Sequence, residues 1–260
     1  MLAGAPTNAL AQKGRKPPKN TPCTAFQDNF DGNKVDGTRW VVANGSAPGR
    51  ILGAHIGYYQ PDRVSVSDGY LHIQLTQEGG IVDGVSGVIS RGGLIYTKQT
   101  CGYGTYVWTV RMSSTQSNPT DASGFPVSGS VSAGFNYVNN SQTEIDFEFS
   151  AKDPDTLWMV NWLNTNPQRD PTSQHETYSY EQPFDSTSGF HEYKYVWEPG
   201  KITFFIDGEL QATHTTDVPS APAYFMINHW GTNGPNWGGY ADPNFPTRYY
   251  YIDWVRFTPL

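Results

Sequence analysis

The segment from residue 143 to residue 150 constrains the fold more than any other, because Thr-Glu-Ile-Asp-Phe-Glu-Phe-Ser alternates acids with large apolar side chains. Side chains on a β-strand point alternately to opposite faces, so this pattern places Glu144, Asp146 and Glu148 on one face. The apolar side chains share the other face. The segment therefore predicts a strand with one side in the core and three carboxylates on the opposite side.

Three acids on one face suit a particular chemistry. Like charges at this spacing cannot all ionise cheaply, so at least one carboxyl should have a raised pKa and be able to donate a proton near neutral pH. The arms of Glu144 and Glu148 could bring their carboxyl groups to about 5 Å, the separation typical of retaining glycosidases. One glutamate would attack the anomeric carbon, the other would protonate the leaving oxygen, and Asp146 would tune both. The spacing does not assign the two roles, and an acidic edge strand that resists aggregation is the alternative interpretation.

The acid segment resembles the E-x-D-x-E signature of family 16 glycoside hydrolases, in the form without an extra residue before the last Glu. Four further blocks resemble successive strands of that family in the same order: residues 101–111, 190–208, 226–230 and 251–257. The resemblance covers roughly residues 25 to 260 and is carried by the ordered set of blocks. It implies a retaining enzyme in which Glu144 is the nucleophile, Glu148 is the acid/base and Asp146 modulates both.

Composition and turn signals favour an all-β domain. Aromatic residues make up 14% of the chain, with 27 glycines and 19 prolines, as expected for many strands joined by tight turns. Two Asp-Gly pairs, at residues 68–69 and 207–208, lie between alternating segments and predict hairpins. No segment has helical periodicity over 11 residues. We predict one antiparallel β-sandwich over residues 23–260, which the resemblance specifies as a concanavalin A-like jelly roll with an open concave cleft. Residues 1–22 are basic and lack apolar periodicity, which predicts a flexible tail.

The resemblance to lichenases within this family also implies sugar-binding residues. Asn228 and Trp230 share a strand face by period two, and Trp237 follows in a glycine-rich loop. These three, together with Asn161, resemble residues that line glucose subsites in lichenases. The strand before residue 101 carries Leu94 and Tyr96, and residue 163 is Leu. Lichenases usually place Glu and Arg at the first two positions and an aromatic residue at the third, so subsite preferences could differ.

The motif form favours mixed-linkage β-1,3-1,4-glucan or xyloglucan as the substrate. Our first hypothesis is an endo-acting, retaining β-1,3-1,4-glucanase of the licheninase type. A xyloglucan-active hydrolase or transglycosylase is the second, although this chain lacks the cysteine-containing extension of the plant transglycosylases after Leu260. A lectin-like carbohydrate-binding module is the non-enzymatic alternative. The three acids speak against it, because a binder would avoid unpaired carboxylates beneath a neutral ligand.

Partners and location follow from charge and hydropathy. The net charge of −7 works against nucleic-acid binding, and no run of about 18 apolar residues predicts a membrane span. We expect a monomer that acts on a polysaccharide and requires no cofactor. The resemblance leaves open a structural calcium ion at Asp253. It also suggests a secreted protein, although no signal peptide is present in this chain. Cys23 and Cys101 could form a bridge or remain free thiols, and an extracellular setting favours the bridge.

Overall fold

The computed structural model describes residues 22–48, 54–166, 169–170, 172–181 and 184–260. These ranges contain seventeen β-strands and a single 3-10 turn at Pro61–Arg63, with no α-helix. No helix in this part of the chain could cross a bilayer. Except for Pro22, the predicted tail at residues 1–22 lies outside the described residues.

One of the two large sheets, here called the front sheet, carries the acid segment. Its strand order is β2–β7–β16–β9–β10–β11–β12, and every neighbouring pair is antiparallel. The bounds are β2 Trp40–Val42, β7 Val85–Thr97, β9 Ser130–Val138, β10 Thr143–Ser150, β11 Leu157–Asn164, β12 Gln174–Glu181 and β16 Tyr224–Gly231. The acid strand β10 therefore lies inside the sheet, between β9 and β11, and is not the edge strand of the alternative interpretation.

The back sheet covers the inner face of the front sheet. Its order is β15–β14–β13–β8–β17–β6–β5. Strand β1 pairs with the last part of β17, beyond the part that pairs with β6. The bounds are β1 Phe26–Asp28, β5 Val64–Ser67, β6 Tyr70–Val82, β8 Gly104–Ser114, β13 His191–Glu198, β14 Lys201–Ile206, β15 Glu209–His214 and β17 Arg248–Pro259. Two facing antiparallel sheets confirm the predicted β-sandwich.

A long hairpin joins the sheets at one end. The first half of β6 lies in the back sheet, the second half of β7 lies in the front sheet, and the two strands pair with each other from Thr76 to Arg91. Strands β3 (Gly45–Ser46) and β4 (His55–Tyr59) extend this region. Strand β4 runs parallel to β7, whereas the other pairs among the described strands are antiparallel.

Both predicted Asp-Gly hairpins are present. Asp68 and Gly69 have φ of 55° and 80°, and Asp207 and Gly208 have φ of 50° and 85°. Positive φ at both central residues is the geometry of a two-residue turn whose twist matches the flanking strands. The turn sequences therefore fix the β5–β6 and β14–β15 hairpins locally.

The apolar side of β10 lies in the main core. Ile145, Phe147 and Phe149 are fully buried, and the Phe147 ring packs 5.6 Å from Trp108 of β8 and 5.3 Å from Phe204 of β14, between ring centroids. This packing holds the acid strand against the back sheet. Burial of these three side chains stabilises the folded position of β10, and with it the position of the acids, by roughly several kcal/mol.

A disulfide bond joins Cys23 to Cys101, with the two Cα atoms 4.7 Å apart. Around it, the backbone N–H of Cys23 donates to the carbonyl of Thr100. The bridge ties the first described residues to the segment that precedes β8. Of the two states that the sequence left open for these cysteines, the structure has the bridged one.

Candidate active site

Strand β10 presents its three acids on the front sheet's outer face, which we call the acid face. The strand is in register with both neighbours: Glu144, Asp146 and Glu148 lie opposite Tyr137, Phe135 and Ala133 of β9. Ile145, Phe147 and Phe149 occupy the intervening positions and point into the core. The prediction that period two separates acids from core is confirmed.

Glu144 is the acid with a hydrogen-bond donor on its carboxyl group. The Ser141 hydroxyl donates to Glu144 Oε2. Ser141 is held by a turn in which Asn139, Asn140 and Ser141 have φ of 47°, 54° and 60°, a left-handed conformation that is uncommon for residues other than glycine. Burial raises the pKa of Glu144 to about 7, and the Ser141 hydrogen bond opposes that rise.

In the described part of the chain, Glu148 and Asp146 have no such donor. Burial, followed by the charges of Glu144 and Glu176, raises the pKa of Glu148 to about 8. Burial and its three acidic neighbours raise the pKa of Asp146 well above its usual range. Asp146 is 2% exposed, and its Oδ2 has no hydrogen-bond partner among the described residues. All three carboxyl groups therefore hold their protons more tightly than free carboxyl groups do, and at Glu144 the Ser141 hydrogen bond opposes this effect.

Asn228 and Trp230 border the acids on one side, and the Trp237 ring reaches from there to Trp158 of β11, with 5.8 Å between the two ring centroids. Asn228 lies opposite Ala133, in the same cross-strand row as Glu148, and Trp230 lies opposite Val131. The Asn228 side-chain amide donates to the Tyr59 hydroxyl over 3.1 Å, while its Oδ1 is buried without a partner in the described chain. Trp230 packs in a small cluster with Tyr59, and Trp237 packs against this cluster. The structure thus brings these three predicted residues to the acid face.

Asn161 does not belong to this group, which corrects the expectation. It lies opposite Ile145, so its side chain is on the core face of β11. Its Nδ2 donates to the carbonyls of Thr216 and Asp217 over 3.1 and 2.8 Å, and it is fully buried. A shift of one residue along a strand moves every side chain to the other face. The next residue, Trp162, is therefore on the acid face, opposite Glu144, whereas Leu163 is on the core face.

Several residues of the acid face were missed in the sequence. Glu176 of β12 lies opposite Trp162, and its charge contributes to the raised pKa of each of the three catalytic candidates. Tyr59 reaches Asn228 from β4, and Ser141 reaches Glu144 from a turn. No local pattern marks them, because each acts through a neighbour distant in sequence or through a turn geometry.

Leu94 and Tyr96 of β7 lie opposite Asn228 and Met226 of β16. They therefore lie on the acid face, on the strand next to β16. The expectation that Leu94 and Tyr96 give this enzyme different subsite preferences from lichenases is consistent with their position and stays a prediction.

Asp253 lies on the other sheet. It occupies a register irregularity of β17 between Ile252 and Trp254. Partial burial, together with the charge of Asp31, raises the pKa of Asp253. Among the described residues no group of three or more His, Cys, Asp or Glu could hold a metal ion, so a cation here would take two carboxylates at most.

Comparison with known proteins decides the family. The sequence model of the group described as glycosyl hydrolases family 16 matches residues 55–256, which include every strand of the front sheet except β2. The chain is a family 16 glycoside hydrolase. This family 16 enzyme is 27% identical over 268 residues to a β-glucanase of Brevibacillus brevis, covering 100% of this chain and 92% of the relative.

Solved structures agree on the fold of this family 16 hydrolase. A β-glucanase of Bacillus licheniformis superposes with a TM-score of 0.70 at 23% identity, over 92% of this chain and 100% of that one. The catalytic domain of an endo-1,3-β-glucanase (laminarinase) from Thermotoga petrophila gives 0.69 at 19% identity, over 92% and 98%. The predicted jelly-roll architecture is thereby confirmed.

Proposed function

We propose that this enzyme is an endo-acting, retaining β-glucan hydrolase whose preferred substrate is mixed-linkage β-1,3-1,4-glucan. The observation that carries the proposal is the row of three carboxyl groups on one face of β10, of which Glu144 accepts the Ser141 hydrogen bond. The β-glucanase name of the Brevibacillus relative supports the substrate class.

In the first step, Glu144 acts as the nucleophile. The Ser141 hydrogen bond stabilises its ionised form, whereas burial and the charges of Glu144 and Glu176 favour the protonated form of Glu148. Glu144 forms a bond to the anomeric carbon while Glu148 gives its proton to the departing glycosidic oxygen, which leaves a glycosyl ester on Glu144. Because burial and its acidic neighbours raise the pKa of Asp146 well above its usual range, it stays protonated and adds no third negative charge between the glutamates.

In the second step, Glu148 acts as a base. Its carboxylate takes a proton from water, the water oxygen bonds to the anomeric carbon, and the ester bond to Glu144 breaks. The two displacements retain the β configuration. Cleavage of the ester regenerates the Glu144 carboxylate and leaves the water proton on Glu148, so both groups return to their starting protonation states.

The uncharged residues beside the acids support a neutral glucan as the substrate. Asn228 Oδ1, buried without a partner in the described part of the chain, can accept a hydrogen bond from a sugar hydroxyl, and Trp230 and Trp237 offer apolar faces to the ring. Leu94 and Tyr96 add no charge. A xyloglucan-active enzyme is the second candidate, because these neutral residues leave the subsites less narrowly defined than a Glu and Arg pair would.

Chemical rescue of alanine variants tests the roles of the two glutamates. We expect Glu144→Ala and Glu148→Ala each to lose about 10⁴-fold in kcat on barley β-glucan. With an activated aryl β-glucoside, azide should enter the space left by Glu144 and give the α-glycosyl azide. In Glu148→Ala, azide should attack the glycosyl ester and give the β-glycosyl azide. The reverse pattern of products would exchange the two roles, and full activity of both variants would contradict the enzymatic proposal.

A substrate panel tests the specificity. Reducing-sugar release should be fastest on barley β-glucan and slower on laminarin, xyloglucan and carboxymethylcellulose. Activity on xyloglucan alone would promote the second candidate. Binding to barley glucan without release of reducing ends would favour a carbohydrate-binding module.

We further infer a secreted, monomeric enzyme with an optional structural calcium ion. The disulfide between Cys23 and Cys101 is typical of an oxidising compartment. Asp253 and Asp31, whose charges interact, are oxygen donors of the kind calcium prefers, with carbonyls and water completing the shell. A higher Tm in calcium than in EGTA, abolished by Asp253→Asn, would support this ion, and identical melting curves would exclude it.

A further inference from the structure

Three aromatic side chains lie together on the acid face, on the opposite side of the acids from Asn228. They are Trp158 of β11 with Tyr178 and Tyr180 of β12, and we call them the aromatic platform. The Trp158 ring centroid is 5.8 Å from Tyr178 and 5.3 Å from Tyr180. Tyr178 and Tyr180 are 57% and 54% exposed, so these two rings face solvent, while Trp158 is half-buried beneath them.

The strand register aligns the platform with the proposed acid/base. Glu148 lies opposite Trp158, and Trp158 lies opposite Tyr180. Since neighbouring strands are about 4.8 Å apart, the platform begins one strand from Glu148 and ends roughly 10 Å from it. A glucan that crosses the strands over the acids would meet Asn228 on one side and the platform on the other.

Exposure of these rings has no evident structural purpose. Among the described strands β12 pairs only with β11, and its acid face carries the two exposed tyrosines beside Glu176. The opposite face of β12 is tied down instead, as Thr177 and Ser179 bond to Asp217 and His214. A cluster of exposed aromatic residues beside a site is typical of a binding surface. Flat rings with hydroxyl tips match the apolar faces and hydroxyl groups of glucose.

We propose that the aromatic platform binds the leaving-group half of the glucan, that is, the glucosyl units on the reducing-end side of the cleaved bond. This inference rests on the proposed function. Glu148 must contact the glycosidic oxygen that it protonates, so the first leaving sugar lies beside Glu148. Trp158 is the cross-strand neighbour of Glu148, and Tyr178 and Tyr180 continue the surface outward.

The same platform would bind an acceptor sugar in the second step. A hydroxyl of that sugar gives its proton to Glu148, its oxygen bonds to the anomeric carbon, and the ester bond to Glu144 breaks. The product is a longer glucan rather than a hydrolysed one. The platform therefore predicts measurable transglycosylation at high oligosaccharide concentration.

The test compares two substrates that differ only on the leaving side. Barley β-glucan places sugars on the platform, whereas an aryl β-glucan oligoside whose only leaving group is the aryl alcohol does not reach the two tyrosines. For the double variant Tyr178→Ala/Tyr180→Ala we expect kcat/KM on barley glucan to fall about 10-fold, with the aryl oligoside changed less than about 2-fold. The ratio of transfer to hydrolysis products should fall as well.

Two controls keep the outcome clear. His175→Ala alters an exposed residue on the opposite face of β12 and should leave both substrates unaffected. Tyr178→Phe/Tyr180→Phe keeps the rings and should retain most activity on barley glucan. Unchanged kcat/KM on barley glucan in the alanine double variant, or an equal fall on both substrates, overturns the platform. Failure of the wild-type enzyme to cut barley glucan would instead overturn the proposed function.

Discussion

The hydrogen bond from Ser141 to Glu144 predicts a shift in the pH profile when it is removed. Ser141→Gly is the suitable change, because Ser141 has a φ of 60°, which glycine adopts without strain. The variant therefore loses the hydroxyl group and keeps the turn. Since that hydroxyl lowers the pKa of Glu144 against the effect of burial, its loss should raise this pKa further above about 7.

The size of the effect follows from the charged hydrogen bond. Such a bond contributes about 1.5 kcal/mol at the lower end of the range, which is appropriate for a partly exposed group and corresponds to roughly one pH unit. Glu144 must be ionised to attack, so the acid limb of kcat/KM should move up by about that amount. The alkaline limb reflects Glu148, whose pKa is raised to about 8, and so the active range should narrow and its maximum should fall.

The assay is kcat/KM on barley β-glucan between pH 4 and 10, fitted with the two apparent pKa values of the pair. Asn140→Gly is the matched control, because it changes the same turn at a residue whose φ is 54° and leaves the Ser141 hydroxyl in place. An acid limb that stays fixed or moves downward in Ser141→Gly would refute the electrostatic reasoning. An equal shift in both variants would assign the effect to the turn.

Three further predictions concern stability. Burial and acidic neighbours raise the pKa of Asp146, so the folded state binds its proton more tightly, and stability falls as pH rises above the pKa of Asp146 in the unfolded chain. Asp146→Asn should therefore raise Tm by about 3 °C at pH 8, change Tm little at pH 4, and lower kcat. A lower Tm at pH 8 would contradict this reasoning. A Cβ on Gly134 would lie 2.4 Å from the Trp108 ring beneath β10, so Gly134→Ala should lower the free energy of unfolding by about 2 kcal/mol in urea titrations, whereas an unchanged midpoint would show that Trp108 can move. The bridge from Cys23 to Cys101 spans 78 residues, so Cys23→Ser should lower that free energy by about 4 kcal/mol, and a variant as stable as the wild type would show that the bridge adds nothing.

The sequence by itself determined whatever depends on one strand or one turn. Alternation along residues 143–150 was sufficient to place the acids together and the phenylalanines in the core, because period two is a property of the extended chain alone. The Asp-Gly turns were predictable for the same local reason, as both residues tolerate positive φ. The family was also recognisable, because the strand blocks occur in a fixed order.

Only the tertiary structure decided how the strands align with one another. Asn161 was expected on the acid face, but its pairing with Ile145 places it in the core and puts Trp162 on the acid face. Glu176 and the aromatic platform joined the site through β12, whose register no local pattern specifies. Pairing between strands is selected by the packing of the whole sandwich. Alternation can therefore establish which residues of one strand share a face, and the fold alone determines which residues of other strands lie beside them.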